Sequence, residues 1–261
     1  MTADRILPDI PLTGLTADSR QVRPGYLFAA IPGTVADGAA FISDAVAKGA
    51  VAVLAPPGLS GGQVGANVTL ITDANPRRRL ARMAAAFYGP QPDTIVGVTG
   101  TSGKSSVAGF TRQIWAATGL KSASVGTLGI EGPGYTGSEG LTTPDATDLH
   151  RELAEMARAD IDHVAMEASS HGLDQYRLDG VRFSAAAFTN LSHEHLDYHP
   201  TMEAYRQAKM RPFEDLLTRG GSCNVHTASA EHDHTAAIPH DRVMRMLSYG
   251  MAHCSLRCLA T

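Results

Sequence analysis

The sequence predicts an α/β protein: a small N-terminal α/β domain over residues 1–91, followed by a P-loop-type parallel-sheet domain over residues 92–261. Three observations carry that expectation. Short apolar runs alternate with stretches of helical period, which is the pattern of parallel βαβ units. Gly89, Pro90 and Pro92 then interrupt the alternation, as a domain boundary does. Directly after them, Ile95–Ser106 (IVGVTGTSGKSS) reads as strand, Gly-rich loop and Lys-Ser helix start, the order that builds a phosphate cradle.

In the N-terminal part, Tyr26–Ile31 (YLFAAI) is an apolar strand that ends in a Pro32-Gly33 turn. Phe41, Ile42, Ala45 and Val46 keep helical spacing up to Gly49, and Ala50–Ala55 is a second buried strand. Beyond the Gly-rich 58–65 segment, Val68–Ile71 gives a third strand. Pro76 then opens a helix carrying Leu80, Met83, Ala84 and Phe87.

The second part begins with the loop. Backbone amides freed by the glycines and by the first helical turn converge on an anion, while Lys104 adds charge and Ser105 an oxygen for magnesium. A strict GxxxxGK[ST] pattern needs glycine where Val98 stands, so the shorter GTSGKS form is a variant, and a bare strand-to-helix turn is the competing reading. Val107, Phe110, Ile114 and Ala117 recur at helical spacing, and Gly119 ends the run. Ser122–Thr127 is a strand, and Glu131–Gly140 is too Gly-rich for regular structure. Thr143 suits an N-cap, Pro144 the first helical position, and Leu149, Leu153 and Met156 the buried stripe of the helix that follows. His163–Ala168 and Phe183–Asn190 complete the strands.

Ligands of such sheets bind beyond the carboxyl ends of the strands, which brings Glu167 and the run His193–His199 (HEHLDYH) to the loop side. Glu167 is read either as a structural acceptor or as a ligand of the phosphate's metal. Lys209 lies four residues from both Tyr205 and Phe213, on the apolar face of a helix starting near Thr201. Spacing alone favours a lysine whose stem packs while its ammonium reaches water; the functional alternative is a lysine paired or chemically altered within a site. His193, His195 and His199 do not share one helix face, and Cys254-x3-Cys258 lacks a second pair, so neither makes a dedicated zinc site.

Composition narrows the classes. With 43% apolar and 18% charged residues and a net charge of −4, nothing favours nucleic acid as a partner. No apolar run reaches membrane-span length and the N-terminus lacks a signal-peptide core, so a cytoplasmic protein is expected. Three cysteines near the C-terminus exclude a disulfide framework.

Six stretches, DSRQVRPGYLFAAIPG, VADGAAFI, GVTGTSGKSS, LTTPDA, MEASSHGLDQYRLDGVRF and FTNLSHEHLDYHPTMEAYRQAK, occur in this order between about residues 17 and 217. Together they resemble the Mur ligase family of peptidoglycan synthesis, most closely the branch that extends UDP-N-acetylmuramoyl-L-alanyl-D-glutamate. The resemblance implies a cell-wall ligase with ATP and Mg2+, which forms an amide through an acyl phosphate with a diamino acid, favouring diaminopimelate. It implies that Gly100, Thr101, Ser102, Gly103, Lys104, Ser105 and Ser106 hold the ATP phosphates, with Lys104 on the transferring group and Ser105 on one magnesium. Glu167, His195 and Lys209 match a second metal site in which the lysine is carbamylated. Ser19 and the loop from Thr34 to Gly38 match the uridine-diphosphate region; Thr142, Thr143, Ser169, Gln175 and Arg177 match positions that grip sugar and peptide. A monomer is expected.

Departures from the family's pattern carry expectations too. Glu194 replaces an aspartate before the ligand histidine, and Val225-His226-Thr227 replaces an Asn-Ala-Asp strand end. Pro212 stands for a leucine one turn past Lys209, where it removes a helix hydrogen bond at a cost of about 3 kcal/mol and is expected to disturb the metal lysine. The chain stops where the family continues, so a C-terminally truncated central domain without the C-terminal domain is expected. Such a chain is expected to bind nucleotide weakly without completing ligation; the alternative is an inactive fragment or a nucleotide- or UDP-sugar-binding module.

Overall fold

The computed structural model describes residues 6–33, 37–135, 141–226, 231, 233, 245–250 and 256–257. The chain divides into two compact units, Met1–Gly89 with Ala146–Arg151, and Pro90–Asp145 with Glu152–Thr261. No helix among the described residues is long and apolar enough to cross a membrane.

The first unit holds β1 (Gly14–Thr16), β2 (Tyr26–Ala29), α1 (Ile42–Ala47, entered through a 3-10 turn at Gly38–Phe41), β3 (Ala52–Ala55), α2 (Gly61–Val64), β4 (Thr69–Thr72) and α3 (Pro76–Tyr88). Its four strands lie in sequence order and pair in parallel. Alternate side chains feed opposite faces: Phe28, Val53 and Ala55 pack with Ile42 and Ala45, while Leu27, Ala29, Ala52 and Leu54 pack with Leu80 and Met83. A sheet buried on both faces explains why these strands read as unbroken apolar runs. Asn75 caps α3 by accepting the Arg78 amide, and Pro76 occupies the position where a missing N–H costs nothing.

The second unit holds β5 (Thr94–Thr99), α4 (Lys104–Ala117), β6 (Ser122–Gly126), β7 (Gly129–Glu131), α5 (Ala146–Arg158, shared with the first unit), β8 (His163–Glu167), α6 (Ser170–Asp174), β9 (Phe183–Phe188), α7 (Met202–Arg211), β10 (Leu217–His226), β11 (Arg245–Gly250) and β12 (Leu256–Arg257). The sheet order is β12-β11-β10-β9-β5-β8-β6-β7, and only β7 runs antiparallel to its neighbour among the described strands. β5 lies between β8 and β9, so the loop after it emerges where the strand order reverses, the usual ligand crevice of such sheets.

Several expectations need correction. The apolar residues of α4 do not face the sheet: Phe110 is 62% and Ile114 64% exposed, and the helix packs instead through Ala108 and Trp115 against Val98 and Ala165. Ala108 lets the helix approach the strands, and the inner face pairs it with Trp115 seven residues on, a spacing that the more frequent apolar residues of the outer face outweigh in a periodicity. Thr143 does not cap α5, which starts at Ala146; its hydroxyl is committed to β8 and Ser169. Of the Gly-rich stretch Glu131–Gly140, Glu131 ends β7 opposite Ser124 and Gly132 bridges Tyr135, while residues 136–140 lie outside the described residues. Val225 and His226, which replace part of the family's strand end, lie in β10, parallel to β9, and Thr227 lies outside the described residues.

α7 ends at Arg211, and the chain continues through a π-helical turn, Pro212–Leu216, closed by the Leu217 amide on the Pro212 carbonyl. As the first residue of that turn Pro212 contributes its carbonyl, the one backbone hydrogen-bonding group that a proline keeps. Lys209 stays buried in place one turn earlier. Arg211 locks this end of the helix: it donates to the Leu173 carbonyl, pairs with buried Asp179 at 2.8 Å and stacks over Tyr176.

Candidate active site

The glycine loop is built against the end of β9. Gly100 has φ 131°, and a Cβ there would stand 2.0 Å from the Thr189 hydroxyl, so no other residue fits without displacement. The Thr101 amide donates to the Asn190 carbonyl at 2.8 Å and the Ser102 amide to the Asn190 side chain at 3.1 Å; Thr189 donates back to Ser102 at 2.7 Å. Gly103 begins α4 without a side-chain cap, which leaves the amides of Lys104, Ser105 and Ser106 to face an anion at the positive helix end.

Two ammonium groups meet at this loop. Lys104 donates to the carbonyls of Gly100 (3.0 Å) and Thr101 (2.7 Å), and Lys209 donates to Gly100 at 2.6 Å. Lys209 is 1% exposed, so the reading of an ammonium reaching water does not hold. Burial first, and repulsion from Lys104 second, bring its amine down from 10.5 to about 7. Its charge rests over the Tyr205 ring, 4.4 Å from the centroid, and the Tyr205 hydroxyl meets Thr101 at 3.2 Å.

Glu167 ends β8 and is buried, its carboxylate accepting from the Thr127 amide at 2.9 Å. Gly126 permits this, because a Cβ there would stand 2.1 Å from the carboxylate oxygen. Ser105 and Glu167 line one cavity of about 310 Å³ with Phe110, Arg112, Leu128 and Glu131. Two hard oxygen donors at one cavity suit magnesium, whereas an ammonium at Lys209 offers no lone pair to a metal. His195 has a left-handed backbone (φ 55°) and stands beside His171 and Tyr205, with ring centroids 4.9 and 6.2 Å away. Among the described residues no three His, Cys, Asp or Glu side chains gather closely enough to hold a metal ion.

Most of the expected substrate-gripping residues form one network. Thr142 meets the Thr127 hydroxyl at 3.0 Å, and Thr143 joins Ser169 (2.9 Å) to the Glu167 carbonyl (3.0 Å). Arg177 donates to the Thr143 carbonyl at 2.8 Å and to Gln175 at 2.7 Å, while Gln175 reaches Tyr198. Ser19 is buried in the first unit, its carbonyl accepting from Lys48. Thr34, Cys254 and Cys258 lie outside the described residues. Sequence reasoning missed Thr189 and Asn190, which brace the loop, and Thr127, Tyr198 and Tyr205, which hold the predicted residues. Single polar residues after a strand carry no periodic signal, although the strand-end rule that found Glu167 applies equally to Thr189 and Asn190.

A model of the Mur ligase middle domain matches residues 98–256. The chain belongs to the Mur ligase family. A second family model, the Mur ligase family catalytic domain, matches residues 11–88. The UDP-N-acetylmuramoyl-L-alanyl-D-glutamate--2,6-diaminopimelate ligase of Rhizobium meliloti (strain 1021) is 57% identical over 211 residues, covering 81% of this chain and 43% of that protein. The ligase of the same name from Agrobacterium fabrum is 56% identical over 211 residues, covering 81% of this chain and 42% of that protein. The chain thus spans less than half the length of these two curated relatives. A solved Mur ligase structure, again of a UDP-N-acetylmuramoyl-L-alanyl-D-glutamate--2,6-diaminopimelate ligase, superposes with a TM-score of 0.83 at 28% identity over 97% of this chain and 51% of that one. The MurF ligase from Thermotoga maritima, solved with ADP, shares the fold with a TM-score of 0.60 at 18% identity, over 95% of this chain and 52% of that one.

Proposed function

We propose that this chain carries the phosphate- and substrate-holding part of an ATP-dependent ligase that joins a diamino acid, meso-diaminopimelate, to UDP-N-acetylmuramoyl-L-alanyl-D-glutamate through an acyl phosphate. The observation that supports this reading best is the convergence of Lys104 and Lys209 on the Gly100 carbonyl, beside the uncapped start of α4. The Lys104 ammonium and a row of free amides at one point, with the Lys209 nitrogen beside them, suit a polyphosphate and the charge that develops as its terminal phosphoryl group moves to a carboxylate.

In this reading Gly100–Ser106 hold the phosphates, and Thr142, Thr143, Ser169, Gln175 and Arg177 orient the sugar peptide, with Arg177 facing an anionic group. Ser105 would hold one magnesium, and Glu167, His195 and a carbamylated Lys209 would hold a second; the metal would supply neutralisation of phosphate charge. An amine brought down to about 7 is substantially neutral at physiological pH, which is the form that takes up carbon dioxide.

Calorimetry and a coupled ADP assay test this function on the full chain. UDP-N-acetylmuramoyl-L-alanyl-D-glutamate is titrated with and without ATP and magnesium, and ADP is then followed with and without diaminopimelate. Dipeptide binding that ATP and magnesium strengthen, with no completed turnover, is the expected result for a chain that holds the substrates without completing ligation, and ADP release that requires both dipeptide and diamino acid overturns that expectation. Dipeptide binding that ATP and magnesium leave unchanged overturns the ligase reading in favour of a binding module.

A further inference from the structure

His199 takes no part in the site as described so far. It is 2% exposed, and its Nε2 has no hydrogen-bond partner. Its backbone amide donates to the His195 carbonyl at 2.9 Å. The ring packs on Tyr205, centroids 5.2 Å apart, the same ring that carries the Lys209 ammonium at 4.4 Å. A buried polar atom without a partner is disfavoured unless a group arrives to satisfy it.

We infer that His199 is the positioning residue for a carbamyl group on Lys209, donating its Nε2 hydrogen to one carbamate oxygen. This rests on the proposed carbamylation. In that step the neutral Lys209 Nζ uses its lone pair to bond the carbon of carbon dioxide, and one C=O electron pair moves onto oxygen. The nitrogen then loses a proton to bulk buffer. The product is an anion that needs donors, and the orphaned His199 ring nitrogen beside Tyr205 provides one.

The test uses the full chain equilibrated with 13C-bicarbonate and labelled with 15N-histidine. In the native chain a carbamate carbon resonance is expected that Lys209→Met lacks, and the His199 Nε2 resonance is expected to move as that signal grows. His199→Phe should need about tenfold more bicarbonate for half occupancy, the scale of one lost charge-assisted hydrogen bond. His199→Gln, which keeps a side-chain N–H, should recover most of that loss. A carbamate signal that grows while the Nε2 resonance stays still overturns the role of His199 without any variant having to fold. The same holds if folded His199→Phe and the native chain share one bicarbonate dependence. Absence of the carbamate resonance in the native chain overturns the carbamylation reading itself, and this inference with it.

Discussion

Lys209 shows how a single residue can be visible in a sequence and still be misjudged by it. Its spacing from Tyr205 and Phe213 correctly set it on an apolar face, but spacing cannot tell whether a four-carbon stem ends in water or against a carbonyl. The structure buries the amine completely. Its proton balance follows. Below about pH 7 both folded and unfolded chains hold the proton, and the folded chain bears the whole cost of a buried charge. Between about 7 and 10.5 the folded chain has released a proton that the unfolded chain keeps, so stability rises with pH across that window. In carbonate-free, metal-free buffer, Lys209→Met should therefore be more stable than the native chain at pH 6, by roughly 2 kcal/mol or more. The gap should close toward pH 10, and melting temperatures of both chains measured across the range would show it. At Gly100 the sequence was read for its loop but not for its neighbour. Gly100→Ala forces a Cβ into Thr189, and a loss of about 2 kcal/mol or more in urea unfolding is expected.

At the scale of elements, α4 was found at its proper place and turned to the wrong side. Periodicity detects an apolar stripe but assumes that the stripe is the buried one. Here the inner face is made by Ala108 and Trp115, while Phe110 and Ile114 stand out. The double variant Phe110→Ser and Ile114→Ser should change unfolding free energy by less than about 1 kcal/mol, whereas Ala108→Leu should cost about 2 kcal/mol by overpacking against Val98 and Ala165. Equilibrium urea curves separate the two. The same limit explains Thr143. Thr-Pro-Asp is good helix-cap chemistry, yet its hydroxyl is drawn to β8 and Ser169, partners remote in sequence that no local pattern contains. The π turn at Pro212 was equally out of reach, because the proline signals a break without saying which wider turn will absorb it.

For the whole molecule, the alternation of strands and helices and the Gly-Pro break were enough to read an α/β chain with parallel sheets. The order of strands was not legible. The pairings at the centre of the second sheet join segments far apart in sequence, as Thr94 joins His163 and Ile95 joins Phe183. Amides of β5, β8 and β9, held between neighbours, should exchange hydrogen most slowly in the second unit, and those of β7, on the sheet edge, much faster. Exchange mapped by mass spectrometry would reveal uniform protection across the sheet if that ranking is wrong.

The bracing of the glycine loop by Thr189 and Asn190 also sets a timetable. As the chain leaves the ribosome, Gly100–Ser106 appear well before β8, and β9 with its two bracing residues comes later still. Until then nothing fixes the loop's amides, and Lys209, the second ammonium at Gly100, is made later again. The phosphate cradle is thus translated early and completed late, so a nascent chain gains no template from nucleotide while most of its second unit is still being made.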